Sequence, residues 1–108
     1  MSINSRNKGK VGELELAAKL REFGYDAKRG QQYHGGGDSP DVVGIVGLHI
    51  ECKRVEKGNV YDWLDQAIRD CGGSNIPVVM HRRSRRGWVV VLGLEDFLTV
   101  WQKANGKP

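Results

Sequence analysis

A chain of 108 residues has room for one domain and a modest core, burying roughly 60–70% of the surface it exposes when unfolded, so any site lies on that fold or between copies of it. With 39% hydrophobic and 28% charged residues, and no apolar run near the ~20 residues that span a bilayer, the composition fits a globular protein and no membrane segment is expected. Seventeen Lys and Arg against thirteen Asp and Glu leave a net charge of +4 and a pI near 9.3.

The basic surplus is clustered. Arg6, Lys8 and Lys10 form one group, Lys28 and Arg29 a second, Lys53, Arg54 and Lys57 a third, and Arg82, Arg83, Arg85 and Arg86 the densest. Any one cluster can be a solvated face, but their recurrence in so short a chain points to a polyanionic partner, nucleic acid first. The N-terminal segment has no apolar stretch behind its basic residues, so no secretory signal is expected. Cys52 and Cys71 lack zinc spacing and are read as reduced thiols of a cytoplasmic protein.

In chain order, residues 8–23 read as a helix. Glu13, Leu16, Ala17 and Leu20 share one stripe, and Val11, Leu14 and Ala18 a second, a wide apolar arc suited to packing on a sheet. A short strand is expected over 25–29, then a loop over 31–40 that holds three consecutive glycines. Residues 41–46 and 48–55 read as strands, and alternation puts His49, Glu51 and Lys53 on one face with Leu48, Ile50 and Cys52 on the other. Asn59 is a good N-cap for a helix whose stripe is Val60, Trp63, Leu64, Ala67, Ile68 and Cys71. Strands follow over 76–81 and 88–92 around a basic turn at 82–87, and a last helix over 95–103 offers Phe97, Leu98 and Trp101 for packing. The expected architecture is α/β in the order αβββαββα, a central mixed sheet flanked by helices.

The acids are the candidates for chemistry. Glu13 lies on an apolar stripe, where a carboxylate needs a partner or a cation unless it is a rim residue. Asp41 follows Pro40 and alone reads as a turn residue. Glu51 and Lys53 project together from a short strand; an exposed ion pair would stabilise by only about 0–1 kcal/mol, so stability explains the pairing poorly. Clustered carboxylates are tolerated around a hard divalent cation, which prefers oxygen ligands and retained water, and such a cation supports phosphodiester hydrolysis. Glu13, Asp41 and Glu51 are the expected metal ligands, for Mg²⁺ with Mn²⁺ able to substitute, and Lys53 the charge aimed at the scissile phosphate.

These residues carry a resemblance. Pro40-Asp41, a nine-residue gap, then Glu51-Cys52-Lys53 is similar to the PD-(D/E)xK nuclease superfamily. With Lys8-Gly9-Lys10, Gly12-Glu13-Leu14-Glu15, Gly24-Tyr25, Arg29, Pro40-Asp41-Val42-Val43 and Ile50-Glu51-Cys52-Lys53-Arg54, the first half of the chain resembles archaeal-type Holliday-junction resolvases and their phage-encoded relatives. The resemblance implies a restriction-endonuclease-like core over residues 1–108, catalysis by Glu13, Asp41, Glu51 and Lys53, and a homodimer acting on branched DNA. It also implies a Gln on the helix after the Glu-x-Lys strand, where Gln66 stands, and a hydroxyl in the loop before Pro-Asp, for which Ser39 is the one serine, with Tyr33 or His34 as alternatives for its role. Gln66 has a plain surface reading as well. Glu15 lies about 200° around the helix from Glu13 and is expected to face solvent. The DNA-contacting set is expected to be Lys8, Lys10, Arg29, Arg54, Arg82, Arg83, Arg85 and Arg86. Two alternatives stand beside this reading: the same chemistry on nicked or plain duplex, and a basic DNA-binding module without catalysis.

Overall fold

The computed structural model describes residues 4–30 and 40–108, and side chains from residue 9 onward. Helix α1 (Asn4–Glu22) is followed by β1 (Lys28–Arg29), β2 (Val42–Val43), β3 (Leu48–Arg54), α2 (Val60–Asp70), β4 (Ile76–Arg82), β5 (Val89–Val91) and α3 (Leu94–Asn105). The five strands form one sheet in sequential order, antiparallel except where β3 runs parallel to β4. This is the expected α/β order with a mixed sheet. The outer strands are shorter than the sequence suggests because their ladders are short: β1 and β2 share two residue pairs, and β5 meets β4 through three.

Strand alternation divides the molecule. Ile50 on β3 stands opposite Val78 on β4, and Cys52 opposite Met80. These residues face α1, where Leu16 and Ala17 close the core with Ala27 and Val42. On the other side Glu51, Lys53, Val79 and His81 face α2. Asn59 caps that helix by accepting the Asp62 amide at 3.1 Å, and Ala67 is fully buried beneath it. A small residue at that contact lets α2 lie close over the β3–β4 pair.

Only one stripe of α1 is covered. Leu16 and Ala17 are each 1% exposed, whereas Val11 and Leu14 are 62% and 48% exposed, so the second apolar stripe does not pack on the sheet. Helix α3 goes further, with no buried residue; Leu94, Phe97, Leu98 and Trp101 are all exposed, although Phe97 and Trp101 rest against each other. No helix among the described residues is long and apolar enough to cross a membrane.

Two close approaches set how β1 and α1 sit. A Cβ at Gly30 would fall 2.1 Å from the Pro40 carbonyl oxygen, and one at Gly12 would fall 2.6 Å from the Arg54 Cβ. Backbone cannot yield as a flexible side chain can, so Gly30→Ala is expected to destabilise by about 1–3 kcal/mol or more. Gly9, in the same helix as Gly12 but with open space around it, is the control. Gly9→Ala is expected to stabilise by about 0.5–1 kcal/mol through helix propensity. Urea unfolding of both variants measures the contrast; equal effects would show that the Gly30 contact is not a constraint.

Candidate active site

Asp41 immediately precedes β2 and is held from three directions. Its amide donates to the Ile50 carbonyl at 2.8 Å, its carbonyl accepts the Gly30 amide at 2.8 Å, and its Oδ2 accepts the Cys52 amide at 2.8 Å. The glycine at position 30 is what permits this approach. The antiparallel pairing of Val42 with Ile50 brings Asp41 alongside Glu51. Both acids are buried, at 8% and 4% exposure, and Glu51 Oε1 has no hydrogen-bond partner among the described residues.

Burial pushes the Glu51 carboxyl up, to about 8, and the charge and hydrogen bond of Asp41 add to the shift while Lys53 opposes it. Glu51 thus holds its proton well above the ordinary carboxylate range. Glu13 is also buried, and its carboxyl is raised by burial and by Asp41 but drawn back by Arg29, whose Nε donates to Glu13 Oε1 at 2.6 Å. Asp41 therefore stands electrostatically between the two glutamates. Lys53 leaves the same strand face as Glu51, and its Nζ donates to Gln66 Oε1 at 3.0 Å. Gln66 therefore touches the lysine.

Among the described residues no three acidic, histidine or cysteine side chains are gathered tightly enough to hold one ion by themselves. Asp41 and Glu51 are the adjacent pair, and Glu13 is turned to Arg29. A Mg²⁺ ion commonly takes only one or two carboxylates and fills its shell with water, so a close acid pair with an unpartnered buried oxygen fits such an ion.

The remaining predicted residues separate by partner. Glu15 does not simply face solvent: it accepts from Arg54 Nε at 3.2 Å and from Arg82 Nη1. Arg54 also reaches Glu56 at 3.0 Å, and Glu56 accepts the Ser84 amide and hydroxyl. Sequence spacing places Glu15 away from Glu13 on the helix but cannot show that two strand ends meet it there. Arg29, Arg54 and Arg82 are thus tied to carboxylates. Arg83, Arg85 and Arg86 have no carboxylate partner among the described residues and are exposed, as is Lys10. Arg85 holds a φ of 67°, a left-handed conformation uncommon outside glycine. Ser39, Tyr33 and His34, and the side chain of Lys8, lie outside the described residues.

Two histidines stand beside the site, of which sequence alternation places only His49. His81 donates from Nδ1 to the Lys53 carbonyl at 2.8 Å, with its ring 4.6 Å from that of Trp63. His49, on the Glu51 face, is 3% exposed with an unpartnered Nε2, and burial lowers its pKa and keeps the ring neutral. The alternation that placed Glu51 and Lys53 together placed His49 with them; placing His81 needs the parallel register of β3 and β4 as well.

A mixed sheet with an acid pair and a lysine on adjoining strands defines a nuclease fold of the PD-(D/E)xK kind. The family model described as "Phage putative PDDEXK endonuclease" matches residues 4–108, and the chain belongs to that family. PD-(D/E)xK nucleases generally use divalent metals. Among solved structures it is similar to Hjc of Archaeoglobus fulgidus, a Holliday junction resolvase from an archaeal hyperthermophile, with a TM-score of 0.58 and 25% identity over 80% of this chain and 73% of that one. No curated protein matches it.

The raised Glu51 carboxyl has a pH consequence. Its folded pKa exceeds the unfolded value, so its contribution to metal-free stability is fully present below the ordinary carboxylate range and is lost as pH rises toward about 8. Glu51→Gln is expected to melt higher than wild type at pH 8–9 without metal, and to gain less than wild type from any stabilisation by an added divalent cation. Thermal denaturation across pH, with and without the ion, checks both. A Glu51→Gln melting curve that follows wild type under every condition would separate the residue from the acid pair.

Proposed function

We propose that the chain is a Mg²⁺-dependent DNA endonuclease, active also with Mn²⁺, that cuts branched DNA, four-way junctions above all. It works as a homodimer in the cytoplasm of a phage-infected host. The observation that carries the chemistry is the buried Asp41–Glu51 pair with an unpartnered Glu51 oxygen and Lys53 on the same strand face. The similarity to an archaeal resolvase supports the choice of substrate.

In this reading Asp41 and Glu51 would hold the ion, with Glu13, held by Arg29, as the third acid of the set. The ion supplies charge neutralisation on the scissile phosphate and a water of lowered pKa. Asp41 is kept in position by the Cys52 amide. Lys53 projects its ammonium toward the phosphate, and Gln66 orients that ammonium by accepting one of its hydrogen bonds. Arg83, Arg85 and Arg86, without a carboxylate partner among the described residues, bind the DNA backbone together with Lys8 and Lys10. The arginines tied to Glu13, Glu15 and Glu56 shape the site's surroundings and add positive potential.

Support for the dimer is the apolar surface that the single chain leaves uncovered. Val89 and Val90 on the edge strand β5, at 51% and 54% exposure, are followed by the open apolar residues of α3. A two-fold pair would place two sites at a fixed separation, as symmetric cutting of a junction requires.

Asp41→Ala and Glu51→Ala are expected to lose cleavage while keeping DNA binding, and Lys53→Ala to slow single-turnover cleavage by about 10²–10³. Wild-type turnover in either acid variant would remove it from the site. Four-way junction and linear duplex, each with Mg²⁺ and with EDTA, test the substrate. Preferential, metal-dependent cutting of opposed junction strands is expected; equal cutting of both DNAs by a monomer would reject the resolvase reading and leave the nuclease.

Arg85→Gly separates binding from folding. Relief of the left-handed backbone should leave stability unchanged or raise it by up to about 1 kcal/mol. The slope of log affinity against log salt should flatten by about 0.9 for the lost phosphate contact. An unchanged slope would place the turn off the DNA.

A further inference from the structure

Lys53 stands one pair from the end of the β3–β4 ladder, whose last partners are Arg54 and Arg82. Strand ends are where pairing opens most readily. A lysine also has more rotamer freedom to lose than most side chains. Its ammonium is therefore only as well placed as the main chain it leaves and the groups that hold it.

Helix α2 reaches this lysine at both ends. Gln66 Oε1 accepts from the ammonium at 3.0 Å. Three residues earlier, on the same side of the helix, Trp63 lies against the His81 ring with centroids 4.6 Å apart and planes tilted by 51°. His81 meets the Lys53 carbonyl through Nδ1 at 2.8 Å. A carbonyl only accepts, so Nδ1 carries the proton. The register explains the reach. His81 is the partner of Lys53 on the parallel strand, so its side chain starts one strand spacing away, about 4.8 Å, on the same face. Trp63 is seated in turn against the main chain at Gly58, where a Cβ would fall 2.3 Å from Trp63 Cζ2. The contacts thus run from Gly58 through Trp63 and His81 to the Lys53 carbonyl.

We infer that His81 is a positioning residue for Lys53. Through the carbonyl it fixes the main chain from which the side chain leaves, Gln66 fixes the ammonium, and Trp63 holds the imidazole at the angle at which Nδ1 meets its acceptor. This rests on the nuclease reading, in which the ammonium is aimed at the scissile phosphate, and adds to it the contact that sets the aim. His81 itself needs to touch neither phosphate nor ion.

Asn and Gln separate this role from packing. Asn carries its amide nitrogen where His carries Nδ1, whereas Gln carries its nitrogen near the place of Nε2. Gln is the larger of the two, so it would be the better replacement for a ring that only filled space beside Trp63. In the full-length protein with Mg²⁺ or Mn²⁺, single-turnover cleavage of a four-way junction is expected to slow about 10–10²-fold in His81→Gln and His81→Leu, the scale of a small misplacement. His81→Asn is expected to recover most of the rate, and junction binding in EDTA to stay at the wild-type level in all three. In a Lys53→Ala background His81→Leu should cost little more, because both changes act on one group. Two-bond ¹H–¹⁵N correlation of the neutral His81 ring should show the proton on Nδ1. Wild-type cleavage in His81→Leu, a faster Gln than Asn variant, or a full additional loss on top of Lys53→Ala would overturn the role. If His81→Leu does not fold, the Asn–Gln order and the ring tautomer decide. A neutral ring protonated on Nε2 overturns the contact whatever the cleavage shows. Absence of metal-dependent cleavage by the wild type, with the Nδ1 proton observed, instead overturns the nuclease reading on which the role rests.

Discussion

Burying two carboxylates side by side is unfavourable twice over: each loses its hydration, and each repels the other. The pairing of β2 with β3 imposes this on Asp41 and Glu51, and the chain holds Asp41 in place through the Ile50 carbonyl and the Gly30 and Cys52 amides. Without a cation the conflict is met by a retained proton, which is why the Glu51 carboxyl rises to about 8. The rest of the site is arranged around that pair. Lys53 is two residues along the same face, Glu13 approaches from α1, and the bare glycine at position 30 permits the strand contact that positions Asp41.

The basic residues divide into two populations with different work. Arg29, Arg54 and Arg82 are held by Glu13, Glu15 and Glu56, and these pairs tie α1 to the ends of β1, β3 and β4. Such partly exposed pairs add little stability individually, so their effect is mainly geometric. They fix where the turn after β4 stands. Arg83, Arg85 and Arg86 on that turn keep their charge available, and Arg85 does so from a strained backbone, as residues at binding sites often do.

Much of the architecture was legible in the sequence because hydrophobic periodicity is strong where burial is strong. The Leu48–Arg54 strand shows its alternation plainly, and Asn59 marks the start of α2 at the position the cap geometry gives. The outer strands were overestimated because β-branched runs such as Val42 to Val46 continue past the point where a partner strand stops. Val11 and Leu14 read as packed on the sheet, and the residues of α3 as core or an interface between copies, because apolar character alone cannot tell an internal contact from an uncovered surface. The grouping of Asp41, Glu51 and Lys53 followed from spacing and alternation. The partners Arg29 for Glu13, and Arg54 and Arg82 for Glu15, did not, because they depend on where α1 crosses the strand ends. The contacts of His81 with Lys53 and Trp63 were likewise out of reach, since they depend on the register of β4 against β3.

The central claim is that the Asp41–Glu51 pair exists to hold a divalent cation. Anomalous scattering from crystals of the protein soaked in Mn²⁺ above pH 8, where Glu51 is ionised, tests it directly. The account predicts one strong peak within bonding distance of an Asp41 oxygen and Glu51 Oε1, lost in Asp41→Asn. An ordered acid pair with no density between its oxygens, or Mn²⁺ bound only elsewhere on the chain, would contradict it.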